Sequence, residues 1–121
     1  MSKVAKKSRD GSLNISDDVL IAMTKQALKE ISSIYSLVDI SDVLTKVIFG
    51  SSKKKPVIVH FNGDIVTVDV GVNLKYGCKV MKVADEIQNK VKETIQAMTQ
   101  ITVSKVNVYV LGVTFVEDYK I

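Results

Sequence analysis

The residues in shortest supply here are the ones that do chemistry. The 121-residue chain has one cysteine, one histidine, one proline, no tryptophan and only seven other aromatics. Cys78 alone excludes an internal disulfide framework and every zinc cluster built on paired cysteines, and it fits a reducing compartment. His60 alone excludes a histidine pair around a metal. Arg9 is the sole arginine among 17 basic residues, whereas bidentate recognition of phosphate or guanine prefers the guanidinium fork. Diffuse attraction to anions therefore fits this chain and specific readout does not. No apolar run approaches the roughly 20 residues of a membrane span, and the first ten residues lack the apolar stretch of a secretory signal. The expectation is a cytoplasmic chain that neither crosses a membrane nor is exported.

What is present suits one soluble domain: 46% hydrophobic and 25% charged side chains, at a length that buries roughly two-thirds of the unfolded surface. The net charge of +4 is unevenly placed. Residues 1–10 carry +3 and Lys53, Lys54 and Lys55 carry another +3; the rest of the chain holds ten bases and twelve acids, a net of −2. Residues 1–10 therefore read as a flexible basic arm and 11–121 as a single α+β domain.

Leu13 and Ile15 alternate with polar neighbours, a short strand signal placed at a sheet edge. Ser16 reads as a helix N-cap with Asp17 and Asp18 beside the positive helix end. Leu20, Met23, Ala27, Ile31 and Ile34 keep helical spacing, which predicts a helix of about five turns. Between 35 and 55 the pattern permits a short second helix from Ser41 to near Gly50, then a lysine loop that Pro56 ends.

Asn62-Gly63 separates two alternating runs, the strongest short-range hairpin signal. A turn at these two residues pairs Val59 with Val66 and Val57 with Val68. It gathers Val57, Val59, Val66, Val68, Val70 and Val72 on one face, with Ile58, His60, Thr67, Asp69, Gly71 and Asn73 on a wet opposite face. A second amphipathic helix follows from about Lys79 to Met98, with Val80, Ala84, Ile87, Val91, Ile95 and Met98 as its buried stripe and Glu86 four residues before Lys90. The last strand alternates Val106, Val108 and Val110 with Lys105, Asn107 and Tyr109, and shifts phase at Gly112. The order strand, helix, hairpin, helix, strand predicts an α+β two-layer sandwich: two main helices on one face of a small mixed β-sheet, with the strands flanking the second helix parallel.

The search for catalysis finds little. His60 reads as a surface or partner-contact residue rather than a base, and Cys78 as a small apolar residue packed at a helix start. No phosphate-binding glycine loop and no Gly-x-x-Gly nucleic-acid clamp occurs. Catalytic, metal and cofactor sites are all expected to be absent. Ile58, His60, Ile65 and Tyr109 suggest a modest protein contact patch, and Lys53, Lys54 and Lys55 a contact for an anionic surface.

Four segments in this order resemble the alkaline shock protein family of bacterial envelope stress response proteins. They are Gly11-Ser-Leu-Asn-Ile-Ser-Asp-Asp-Val19, the Asn62-Gly63 hairpin with its valine strand, Tyr76-Gly77 leading into Val83-Ala-Asp-Glu-Ile-Gln-Asn-Lys-Val-Lys92, and Val106-Asn-Val-Tyr-Val-Leu-Gly-Val-Thr-Phe115. Ser33-Ile34 stands where the family often has Gly-Val. The resemblance implies an alkaline-shock-type domain over 11–121 and a non-enzymatic scaffold or accessory protein without cofactor. It also implies self-association, together with binding to a protein partner, membrane-anchored in some members, at the cytoplasmic face of the membrane; weak anionic-lipid contact is read from the lysines alone. A nucleic-acid accessory protein and a regulator linked to lipid metabolism are the alternatives left open.

Overall fold

Valine at every second position makes residues 65–75 the centre of the molecule. A computed structural model describes residues 5–7, 13–41 and 55–115. Its elements are strands β1 (Ala5–Lys7) and β2 (Leu13–Ile15), helix α1 (Asp17–Lys29), strands β3 (Ile34–Leu37), β4 (Val57–Asn62) and β5 (Ile65–Lys75), helix α2 (Val80–Thr99) and strand β6 (Thr102–Thr114). β5 pairs in parallel with β6 along one edge and antiparallel with both β4 and β3 on the other. β4 covers residues 65–70 of β5 and β3 covers 72–74, so two short strands lie end to end against one long one. This is the expected mixed sheet with both helices on one side, an α+β sandwich.

The core lies between the layers. Val66, Val68, Val70, Val72 and Leu74 of β5 are fully buried against Leu20 and Leu28 of α1 and Val83, Ile87, Val91 and Ile95 of α2. Each such side chain contributes about 1.5–3 kcal/mol relative to an exposed one. In α2 the buried series is 83, 87, 91, 95; Val80 and Met98, expected in the stripe, are exposed. A four-residue repeat drifts around a helix, and the sheet covers only the middle of it.

Helix α1 begins as its sequence predicts, with the Ser16 hydroxyl accepting from the Val19 amide and Asp17 and Asp18 in the first turn. It stops at Lys29, earlier than the apolar spacing indicates. Ile31 is buried beyond the helix, and Ile34 opens β3, where it pairs with Leu74. The short helix expected from Ser41 to Gly50 falls, after Ser41, outside the described residues. Among the described residues β2 joins no edge of the main sheet; it pairs antiparallel with β1, drawn from the basic N-terminal segment, in a ribbon of two strands.

The hairpin keeps the expected faces but moves its turn by one residue. Asn62 pairs with Ile65 and Val59 with Val68, leaving Gly63 and Asp64 as the turn. Gly63 takes φ +69°, a conformation glycine adopts without strain and asparagine less readily, so the glycine-first turn prevails. β6 carries the phase shift foreseen at Gly112, a bulge at Leu111 between the pairs Val72–Val110 and Asn73–Gly112, and a second bulge at Ser104.

Candidate interaction surface

The sheet face away from the helices is less wet than its sequence suggests. Gly71 is the crossing point: its amide donates to the Pro56 carbonyl (2.9 Å) and its carbonyl accepts from the Val38 amide (2.8 Å). The segment 38–40 thereby lies across this face. A Cβ at position 71 would collide with the Ile40 side chain and the Val38 carbonyl, so only glycine allows the approach. Ile40 is fully buried there. Asp39 secures the segment, its Oδ1 accepting from the Ser41 amide (3.0 Å), the Ser41 hydroxyl (2.7 Å) and the Lys55 amide (2.7 Å).

Asp69, expected on a wet face, is only 4% exposed. Its Oδ1 accepts from Asn107 Nδ2 at 2.7 Å and its Oδ2 lies 3.0 Å from His60 Nε2. One carboxylate thus links β4, β5 and β6, which satisfies a buried charge and fixes the register of three strands. His60 is held by this bond with its ring still largely in solvent. Its role in the structure is a clamp, and no hydroxyl or thiol is hydrogen-bonded to it among the described residues. Cys78 packs on the core at the end of the molecule where β5 runs into α2. Among the described residues no group of three His, Cys, Asp or Glu side chains could hold a metal, and no helix is long and apolar enough to cross a membrane.

The residues singled out from the sequence share this face without forming one cluster. Ile58 and His60 stand on β4, Ile65 beside the turn and Tyr109 opposite Gly71 on β6. Ile65 and Tyr109 lie six β5 positions apart, about 20 Å along the strand. Lys55 is exposed at the start of β4; Lys53 and Lys54 lie outside the described residues. Tyr109, the aromatic of the expected contact patch, is half-buried, whereas Tyr76 and Phe115 are 68% and 69% exposed.

The outer edge of β6 is a feature that the linear pattern does not reveal. β6 pairs only with β5 among the described residues. Two α2 side chains cover its first half: Gln96 Oε1 accepts from the Val103 amide and Gln88 Nε2 donates to the Val106 carbonyl, both at 3.0 Å. Backbone groups alternate sides along a strand, so those of Val108 and Val110 share the outward direction of the Val106 carbonyl. No side chain or loop bonds to them among the described residues. Residues 106–114 contain no charge and no proline, two of the devices that blunt an edge strand, and the bulge at Leu111 leaves 106–110 as the regular open stretch. Half-buried Val108 and Val110 border this open stretch.

Comparison with known proteins places this geometry among relatives. The model of the alkaline shock protein 23 family, described as having a cell envelope-related function, matches residues 5–115. Protein YloU of Bacillus subtilis is 28% identical over 110 residues, 88% of this chain and 92% of its own. Protein Spy1535 of Streptococcus pyogenes serotype M6 is 33% identical over 106 residues, 85% of this chain and 79% of its own. Among solved structures, MamM CTD M250L aligns at a TM-score of 0.49 with 9% identity, covering 78% of this chain and 95% of that one.

Proposed function

Since the chain belongs to the alkaline shock protein 23 family, with a cell envelope-related function, we propose that it works without catalysis as a scaffold or accessory protein. Copies join through the open edge of β6. The sheet face away from the helices, around Ile58, His60, Ile65 and Tyr109, receives a protein partner at the cytoplasmic side of the membrane. Lys53, Lys54 and Lys55 add weak attraction to anionic lipid.

The observation that carries this reading is the uncapped stretch of β6. Outward backbone groups at Val108 and Val110 are a template for strand addition, and a neighbouring strand would also cover their half-buried side chains. In a two-fold antiparallel pairing the central residue faces its own counterpart, so a charge at the centre of the stretch would meet like charge. Residues 106–114 carry none. The clamp on Asp69 supports the same reading by tying β6 to β5 through Asn107 between its two bulges.

Light scattering across a concentration series tests the proposal. Mass should rise above the monomer with concentration, and Tyr109→Lys, which places a charge on the edge, should return it to the monomer. A strict monomer at every concentration overturns self-association.

A further inference from the structure

Of the ten large apolar side chains exposed among the described residues, six flank the junction of β5, β6 and α2 at one end of the molecule: Tyr76, Val80, Met81, Leu111, Val113 and Phe115. Topology brings them together. β5 and β6 are parallel, so both finish at this end, and α2 starts there. The Tyr76 amide donates to the Thr114 carbonyl at 2.8 Å, and the Tyr76 and Phe115 rings meet edge to face at 5.3 Å. Val113 pairs with core-facing Leu74 yet remains 48% exposed, past the cover that α2 provides. Isolated exposed hydrophobes are ordinary, but a gathered set marks a contact surface.

The charges nearest the β5–α2 connection are lysines, with Glu86, a turn along α2, lining the same hollow as Lys79 and Lys82. Lys75, Lys79 and Lys82 lie on or beside the β5–α2 connection, and residues 70–84 include no carboxylate. None of the three lysines forms an ion pair among the described residues. Asp85 and Glu86 come a turn further along α2, and Glu117 and Asp118 follow Phe115 in the sequence outside the described residues. Lysines also stand where helix electrostatics disfavours them: Lys79 is the N-cap of α2 without a side-chain capping bond, and the first turn holds no acid. Helix α1, with Ser16, Asp17 and Asp18, follows the ordinary rule.

We infer that this end of the domain docks directly on an anionic lipid surface. Tyr76, Met81 and Phe115 enter the headgroup boundary while Lys75, Lys79 and Lys82 meet lipid phosphates. Lysine is a flexible point charge without the fork of arginine; it suits a fluid surface that offers charge density rather than fixed geometry. This contact goes beyond the scaffold reading, because it requires neither a second copy nor Lys53, Lys54 and Lys55.

Sedimentation with vesicles tests it, using phosphatidylcholine alone and phosphatidylcholine mixed with phosphatidylglycerol. The wild-type chain should sediment only with the anionic vesicles, less as salt rises. Lys79→Gln with Lys82→Gln should lower partitioning about 30-fold, at about fivefold per lysine. Met81→Ser with Phe115→Ser, both at exposed sites, should lower it as well. The control pair Lys92→Gln with Lys105→Gln changes net charge equally on the α2–β6 flank and should retain most of the binding. Melting curves establish that each variant is folded, and Met81→Gln alone replaces the apolar pair if that pair is not. Four results overturn the inference: no sedimentation of the wild type; equal loss in the control pair; loss confined to a chain neutralised at Lys53, Lys54 and Lys55; or unchanged sedimentation with a changed mass in light scattering, which assigns this end to a second copy.

Discussion

The rings of Tyr76 and Phe115 meet edge to face with centroids 5.3 Å apart, one just past the end of β5 and the other just past the end of β6. Two parallel strands separated by a 20-residue helix are thereby joined at their last exposed side chains. Phe115→Ala should cost about 0.5–1.5 kcal/mol in urea unfolding, the range of such aromatic pairs. It should also speed amide exchange at Val113 and Thr114 while leaving Val66 and Val68 unchanged.

A second expectation concerns Gly71, where the chain from 38 to 40 crosses the sheet. In Gly71→Ala the new methyl group meets the Val38 carbonyl, which is backbone and cannot swing aside. Overpacking of this kind costs about 1–3 kcal/mol. Thermal melting should show the loss, whereas alanine at Gly63, where a Cβ meets nothing within 4 Å, should suffer only from its positive φ.

The Asp69 clamp gives a third. Asp69→Ala strands Asn107 and frees His60, and should cost about 2–3 kcal/mol. His60→Ala should cost less, because Asn107 still satisfies the carboxylate and the lost ring is mostly in solvent. A double-mutant cycle on these two positions should give a non-zero coupling; strict additivity would mean that the bond contributes nothing.

Lys90 supplies the pH dependence. The sequence pattern points it toward Glu86 on its own helix, yet its ammonium lies 2.7 Å from Glu30 at the end of α1. The hydrogen bond and the charge of Glu30 raise the Lys90 pKa above its usual 10.5, with Glu93 and Glu86 adding to the effect. A raised lysine pKa contributes stability that is fully present below the unfolded value and disappears as pH climbs through the folded one. Glu30→Gln should therefore lower the melting temperature slightly at neutral pH and low salt. The gap should close with added salt, because both side chains are partly exposed, and again in the alkaline range above 10.5.

Much of the layer arrangement was legible in the sequence because burial is periodic. The valines of β5 and the central positions Ile87, Val91 and Ile95 of α2 announce which face is covered, although the stripe read from sequence runs through Val80, Ala84 and Met98 rather than Val83. The Ser16 cap announces where α1 begins. Long-range contacts leave no such trace. Nothing around Ile34 says that a strand will complete the edge of β5, and Lys90 has a plausible partner one turn away until the two helices meet. Asp69 looks like a solvent residue because alternation reports the face and not what lies across it. The contact surfaces were hardest to read. The open edge of β6 and the apolar end near Tyr76 arise from the parallel pairing of distant strands, whereas Ile58, His60, Ile65 and Tyr109 share a face but are spread along it.

Amide hydrogen exchange along β6, followed as protein concentration rises, tests the central claim most directly. If copies join at this edge, the Val108 and Val110 amides become progressively protected while the Val103 amide, already bonded to Gln96, does not change, and Tyr109→Lys abolishes the concentration dependence. Exchange at Val108 and Val110 that is fast and identical at every concentration would contradict the account.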